Sequence, residues 1–172
     1  MHGWTAAASF GRSDCELIDD ALLAQPVLAL TSLTYVAVGI FVLCWAMRGR
    51  ALLTGTAGVA LVGVGVGSFV FHGPQPPWAG PVHDWPIVAL AGVCVIGVAR
   101  GARGQRSAWV AAAAIFALGL AAYAAGRTGS PLCRPDSLWQ YHGVWHVLSG
   151  AAGGLAAWAM MPTPQYRSPG CR

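Results

Sequence analysis

Five apolar stretches, Pro26 to Met47, Ala51 to Phe71, His83 to Ala99, Ala108 to Ala124 and Trp139 to Met161, occupy most of this chain. A bilayer core of about 30 Å takes roughly 17–25 helical residues to cross, and the third and fourth stretches lie near the lower bound. In lipid every backbone N–H and C=O must find a partner within the protein, so runs of this kind form helices. The expected fold is all-α: a polytopic transmembrane helix bundle of about five spans, with residues 1–172 forming one domain. With 56% hydrophobic and only 9% charged residues, the composition excludes an ordinary soluble protein. Residues 1–24 lack a basic start followed by an apolar run, so no cleavable leader is expected and the first span is expected to direct insertion.

The net charge is +4 and all ten basic residues are arginine. Their placement marks topology rather than a nucleic-acid partner, and no such partner is expected. Arg48, Arg50, Arg100, Arg103, Arg106, Arg167 and Arg172 follow odd-numbered spans, whereas Arg12, Arg127 and Arg134 lie on the opposite side. The positive-inside rule then puts the N-terminus outside a cell membrane and the C-terminus in the cytoplasm.

Between spans two and three, residues 72–83 carry four prolines and are expected to form an ordered outer loop. Residues 126–138 form a second outer loop. The glycines of span two (Gly55, Gly58, Gly63, Gly65, Gly67) and span five (Gly150, Gly153, Gly154) are read as close-packing positions.

Against this apolar background the histidines carry information. His142 and His146 share a helix face at the start of span five, and Ser68 and His72 repeat that spacing at the end of span two. Asp84 opens span three. With five spans, all these positions fall on one side of the membrane. Intramembrane ionisable groups are costly and mark functional sites. Three histidines can hold zinc and leave one tetrahedral position to water, which makes His72, His142 and His146 a candidate set. Asp84 can exchange protons, and Ser68 can orient a ligand or hydrogen-bond an oxyanion. The alternatives stay open: interhelical hydrogen bonding for the histidines, a helix N-terminal charge for Asp84, packing for Ser68. His83 is a spare ligand, and His2 is assigned no role.

The combination Ser68-Phe-Val-Phe-His72, then His83-Asp84-Trp85, then His142-Gly-Val-Trp-His146 resembles the signature of the alkaline ceramidase family. That family belongs to a superfamily of membrane hydrolases that includes the adiponectin-receptor-like proteins. Asp14-Cys15-Glu16 and the segment Gln25 to Tyr35 are similar to the family's N-terminal segment and first helix. The resemblance implies zinc-dependent hydrolysis of the amide bond of a ceramide-like membrane lipid to a fatty acid and a sphingoid base. It implies zinc on His72, His142 and His146, proton transfer by Asp84, support from Ser68, and a disulfide between Cys15 and Cys133. The remaining cysteines, Cys44, Cys94 and Cys171, are assigned no function.

Two departures stand beside this resemblance. The family has seven spans, whereas this chain has room for five. Its eukaryotic members bind calcium near the N-terminus; Glu16 matches, but Ile18 and Gln25 stand where an asparagine and a glutamate are expected, leaving Asp14, Asp19 and Asp20 as compensating oxygen donors. Two further classes compete: a haem-binding electron-transfer protein using histidines of facing helices, and a metal-binding receptor or scaffold without turnover. Oligomeric state is left open.

Overall fold

A computed structural model describes residues 10–100 and 105–162. Five helices run α1 (Pro26–Gly49), α2 (Leu52–His72), α3 (Ala79–Ala99), α4 (Arg106–Ala125) and α5 (Tyr141–Ala159), and no strand is present among the described residues. Four of them, α1 to α4, are long and apolar enough to cross a membrane. The fifth carries two histidines, a serine and four glycines, and packs against all four others. Protein rather than lipid surrounds it, which is why the least apolar helix is the central one.

Close backbone approach sets this arrangement. Helices α1 and α2 form a hairpin across Arg50 and Ala51, with Arg50 in the left-handed region and Ala51 N–H returning to Ala46 C=O. A methyl group added at Gly39 would sit 2.7 Å from the Val62 nitrogen, and one at Gly65 would sit 2.8 Å from the Val36 nitrogen. On α5, Gly153 faces Leu61 and Gly154 faces Val38. The glycines thus serve the packing role expected of small residues in membrane bundles. Large apolar side chains such as Leu30, Phe41, Val59, Val88 and Val110 point outward, as lipid requires.

Helix α3 is the least enclosed, with only Ala79 and Gly97 buried. It starts four residues earlier than the apolar pattern suggests. Pro81 lies in its first turn, where the missing N–H has no intrahelical partner to lose, so the loop after α2 is shorter than expected and Asp84 is the sixth residue of α3 rather than its second. Helices α3 and α4 share no substantial contact, which leaves an apolar groove between them.

One face of the bundle gathers the ends of α2 and α4 and the starts of α1, α3 and α5. The expected disulfide, Cys15–Cys133, joins the segment before α1 to the loop before α5 on that face. Hydrogen bonds from Cys15 N–H to Gly126 C=O and from Thr128 N–H to Ser13 C=O tie the same two segments. Cys44 and Cys94 are free, and Cys171 lies outside the described residues, as do His2, Arg103, Arg167 and Arg172.

Candidate metal centre

Helix geometry brings His72 from the last turn of α2 against His142 and His146 from the first turns of α5. All three are buried, and one nitrogen from each lies within 4.8 Å of the other two. Ring centroids are 4.8 Å apart for His142 and His146, 5.3 Å for His72 and His142, and 5.4 Å for His72 and His146. Three imidazoles buried together are costly unless their polar atoms are satisfied, and a shared cation is one way to satisfy them.

Hydrogen bonds fix which nitrogen two of the rings, His72 and His146, offer. The Gln25 amide nitrogen donates to Glu16 C=O at 2.9 Å and Gly11 C=O at 3.2 Å, so its oxygen is the atom 2.8 Å from His72 Nδ1. A carbonyl oxygen only accepts; His72 Nδ1 therefore carries the proton and Nε2 keeps its lone pair. That Nε2 is buried and has no protein partner. His146 Nδ1 lies 3.0 Å from the Thr31 hydroxyl oxygen, whose own hydrogen goes to Val27 C=O at 2.8 Å. The same logic protonates His146 Nδ1 and frees its Nε2. Asp14 Oδ1 stands 2.9 Å from His142 Nδ1, an ion-pair approach without hydrogen-bond alignment. Each ring thus has an oxygen behind Nδ1, the support that orients metal-binding histidines.

All three supports come from the N-terminal segment and α1. Gln25 is the residue before α1 and fully buried. Gly11, at φ +77°, lies against it, and a methyl there would overlap the Gln25 amide. Glu16 holds α1 in place by accepting from Val27 N–H at 2.8 Å and Leu28 N–H at 2.9 Å, a favourable position for a carboxylate. Burial pushes the Glu16 carboxyl up, while those two donors and His142 pull it down. Asp14 also meets Arg127 at 3.4 Å, and Arg127 donates to the Tyr123 hydroxyl at 2.8 Å.

A cavity of about 360 Å³ opens beside the three histidines. Ser68 is buried one turn before His72 and lines it, as do Asp14, His83 and Arg127. Asp84 does not. Its side chain is 73% exposed and accepts from His83 at 2.7 Å. Successive helical residues are rotated by about 100°, so with His83 stacked on Phe71 of α2 the next residue turns outward.

The N-terminal acids considered for calcium are divided among different contacts. Glu16 is occupied by the α1 N–H groups, Asp14 by Arg127 and His142, and Asp19 and Asp20 are exposed. Among the described residues, His72, His142 and His146 are the one group of three His, Cys, Asp or Glu side chains placed closely enough to hold a metal ion.

The sequence assigns Thr31, Tyr123 and Arg127 no part in the site. The signal for Thr31 is a hydroxyl early in an apolar span, and that pattern is common in any transmembrane helix. Arg127 reads from sequence only as a loop charge.

A second, almost wholly apolar cavity of about 330 Å³ runs between α3, α4 and α5 and shares Ile87, Leu90, Phe116 and Ser149 with the first. No family model matches this chain, and no curated protein or solved structure does so either.

Proposed function

We propose that this chain is a zinc-dependent membrane amidase that hydrolyses the N-acyl bond of ceramide or a related lipid, releasing a fatty acid and a sphingoid base. The observation that carries the reading is the three-histidine cluster, with Nε2 of His72 buried and unpartnered and an oxygen behind every Nδ1. Such a donor set suits zinc, which favours imidazole nitrogen and leaves a coordination position open in hydrolytic sites. A zinc ion held there supplies Lewis acidity and a water of lowered pKa.

The protein's own residues would do the rest. Gln25 and Thr31 hold His72 and His146 in the tautomer that presents Nε2, and Asp14 steadies His142. Ser68 offers a hydroxyl in the cavity wall to a developing oxyanion. The apolar groove along α3 and α4 would take an acyl chain, leaving the amide at the level of the histidines. Lipid would reach it sideways, because α3 and α4 leave the groove open. The arginine distribution and the disulfide favour placing this face outside a cell membrane.

The imidazole ring centroids lie 4.8–5.4 Å apart, leaving no slab between them for a porphyrin. That disfavours the haem reading. Detergent-purified protein supplied with zinc and a fluorescent ceramide tests the amidase, with products identified by mass spectrometry. Fatty acid and sphingoid base released in wild type and abolished by a zinc chelator are expected. Bound zinc with no turnover of ceramides or other acyl amides and esters would move the assignment to a metal-binding receptor or scaffold.

A further inference from the structure

The cavity needs a group that moves protons, and the acidic and phenolic groups that reach it are already engaged. Asp14 faces His142 and Arg127, the Tyr35 hydroxyl bonds Ser149, and the Tyr123 hydroxyl accepts from Arg127. Asp84 points away from it. His83 remains. Resting on the amidase reading, we propose that His83 is the proton-transfer residue of the site and that Asp84 acts through it as a positioning residue.

Three observations support this assignment. The first is placement: α3 leans on α2 at Gly67, where an added methyl would overlap the Val82 carbonyl and come within 3.0 Å of His83 Cα. Phe71 stacks on the His83 ring with centroids 4.4 Å apart and planes inclined by 30°. Both contacts hold the imidazole in the cavity wall. The second is distance. His83 lies 6.3 Å from His72 between centroids, farther than any pair within the three-histidine group, and it does not belong to that group. It is placed to reach a water in the cavity rather than to join the ligands. The third is tautomer. His83 Nδ1 is 2.7 Å from Asp84 Oδ1, and an ionised carboxylate only accepts, so Nδ1 holds the hydrogen and Nε2 is left with a lone pair. A carboxylate fixing the tautomer of a general-base histidine is a recurrent hydrolytic arrangement. The side chain of His83 is 21% exposed, enough contact with solvent for proton exchange.

The step balances without another reactant. His83 Nε2 takes a proton from water as the water oxygen bonds to the amide carbonyl carbon. It returns that proton to the amide nitrogen as the C–N bond breaks. The products are a carboxylic acid and an amine, and the imidazole ends neutral.

The test compares zinc-loaded wild type with His83→Gln, His83→Ala and Asp84→Asn, measuring zinc content and amide turnover on the same samples. His83→Gln should keep its zinc and lose about 10²–10⁴-fold in turnover, the usual contribution of general acid–base catalysis. Asp84→Asn should keep zinc and lose less. Added imidazole should restore part of the His83→Ala activity, which a merely structural role would not allow. Ring ¹⁵N NMR of His83 should show Nδ1 protonated in wild type and altered in Asp84→Asn. Full turnover by His83→Gln, loss of zinc from that variant, or the opposite His83 tautomer in wild type would overturn the proposal and leave the amidase standing. Failure of wild type to hydrolyse any acyl amide or ester would overturn both.

Discussion

At the scale of single residues, the site depends on hydrogen bonds that sequence spacing hides. His72, His142 and His146 were legible because two of them share a helix face and all sit in apolar surroundings. Their supports were not: Gln25 lies 47 residues from His72, and Thr31 lies 115 from His146. Nothing local in the sequence couples such positions. Gln25→Ala should weaken zinc binding by about 10–100-fold, the usual effect of removing an outer-shell partner of a metal-bound histidine. Asp14→Ala should act in the same direction, whereas Asp84→Ala should leave zinc affinity unchanged because Asp84 faces away from the cluster. Competition with a chelating zinc indicator measures all three. Equal losses in the three variants would contradict the assignment of supports.

Among the elements, the close approaches of α2 decide how the site is assembled. Its glycines were readable as packing positions, and the backbone contacts at Gly58 and Gly65 agree. Gly65→Ala would press a methyl against the Val36 nitrogen and Ser32 C=O, and such overpacking costs roughly 1–3 kcal/mol. Gly92, by contrast, has open space where a Cβ would stand. Gly92→Ala should therefore be neutral or slightly stabilising through helix propensity. Thermal unfolding in detergent, followed by circular dichroism, separates the two. The start of α3 was misplaced because four prolines read as a helix stop. Pro81 is tolerated in a first turn, and within the longer helix His83 lines the cavity while Asp84 points outward.

The whole molecule is a bundle in which the least apolar helix is central and the face bearing the N-terminal segment gathers the three histidines. Five apolar runs made the helices and their shared polar face legible. The open side between α3 and α4 was not, because apolar composition does not say whether lipid or protein covers a helix. The Cys15–Cys133 disulfide fastens the segment that carries Asp14, Gly11 and Glu16 to the loop before α5. Cys133→Ser, or reduction of wild type, should therefore speed zinc release while the five helices persist. Zinc release into excess chelator, measured with and without reductant, checks this, and identical rates would show that the disulfide does not support the site. The central claim is that the three histidines form a zinc site, and elemental analysis of the detergent-purified wild type beside His72→Ala, His142→Ala and His146→Ala tests it most directly. About one zinc per chain is expected in wild type, held by the three-histidine set, with loss in each variant at unchanged helical content. Wild type that is helical and disulfide-bonded yet binds no zinc when zinc is supplied would contradict the account.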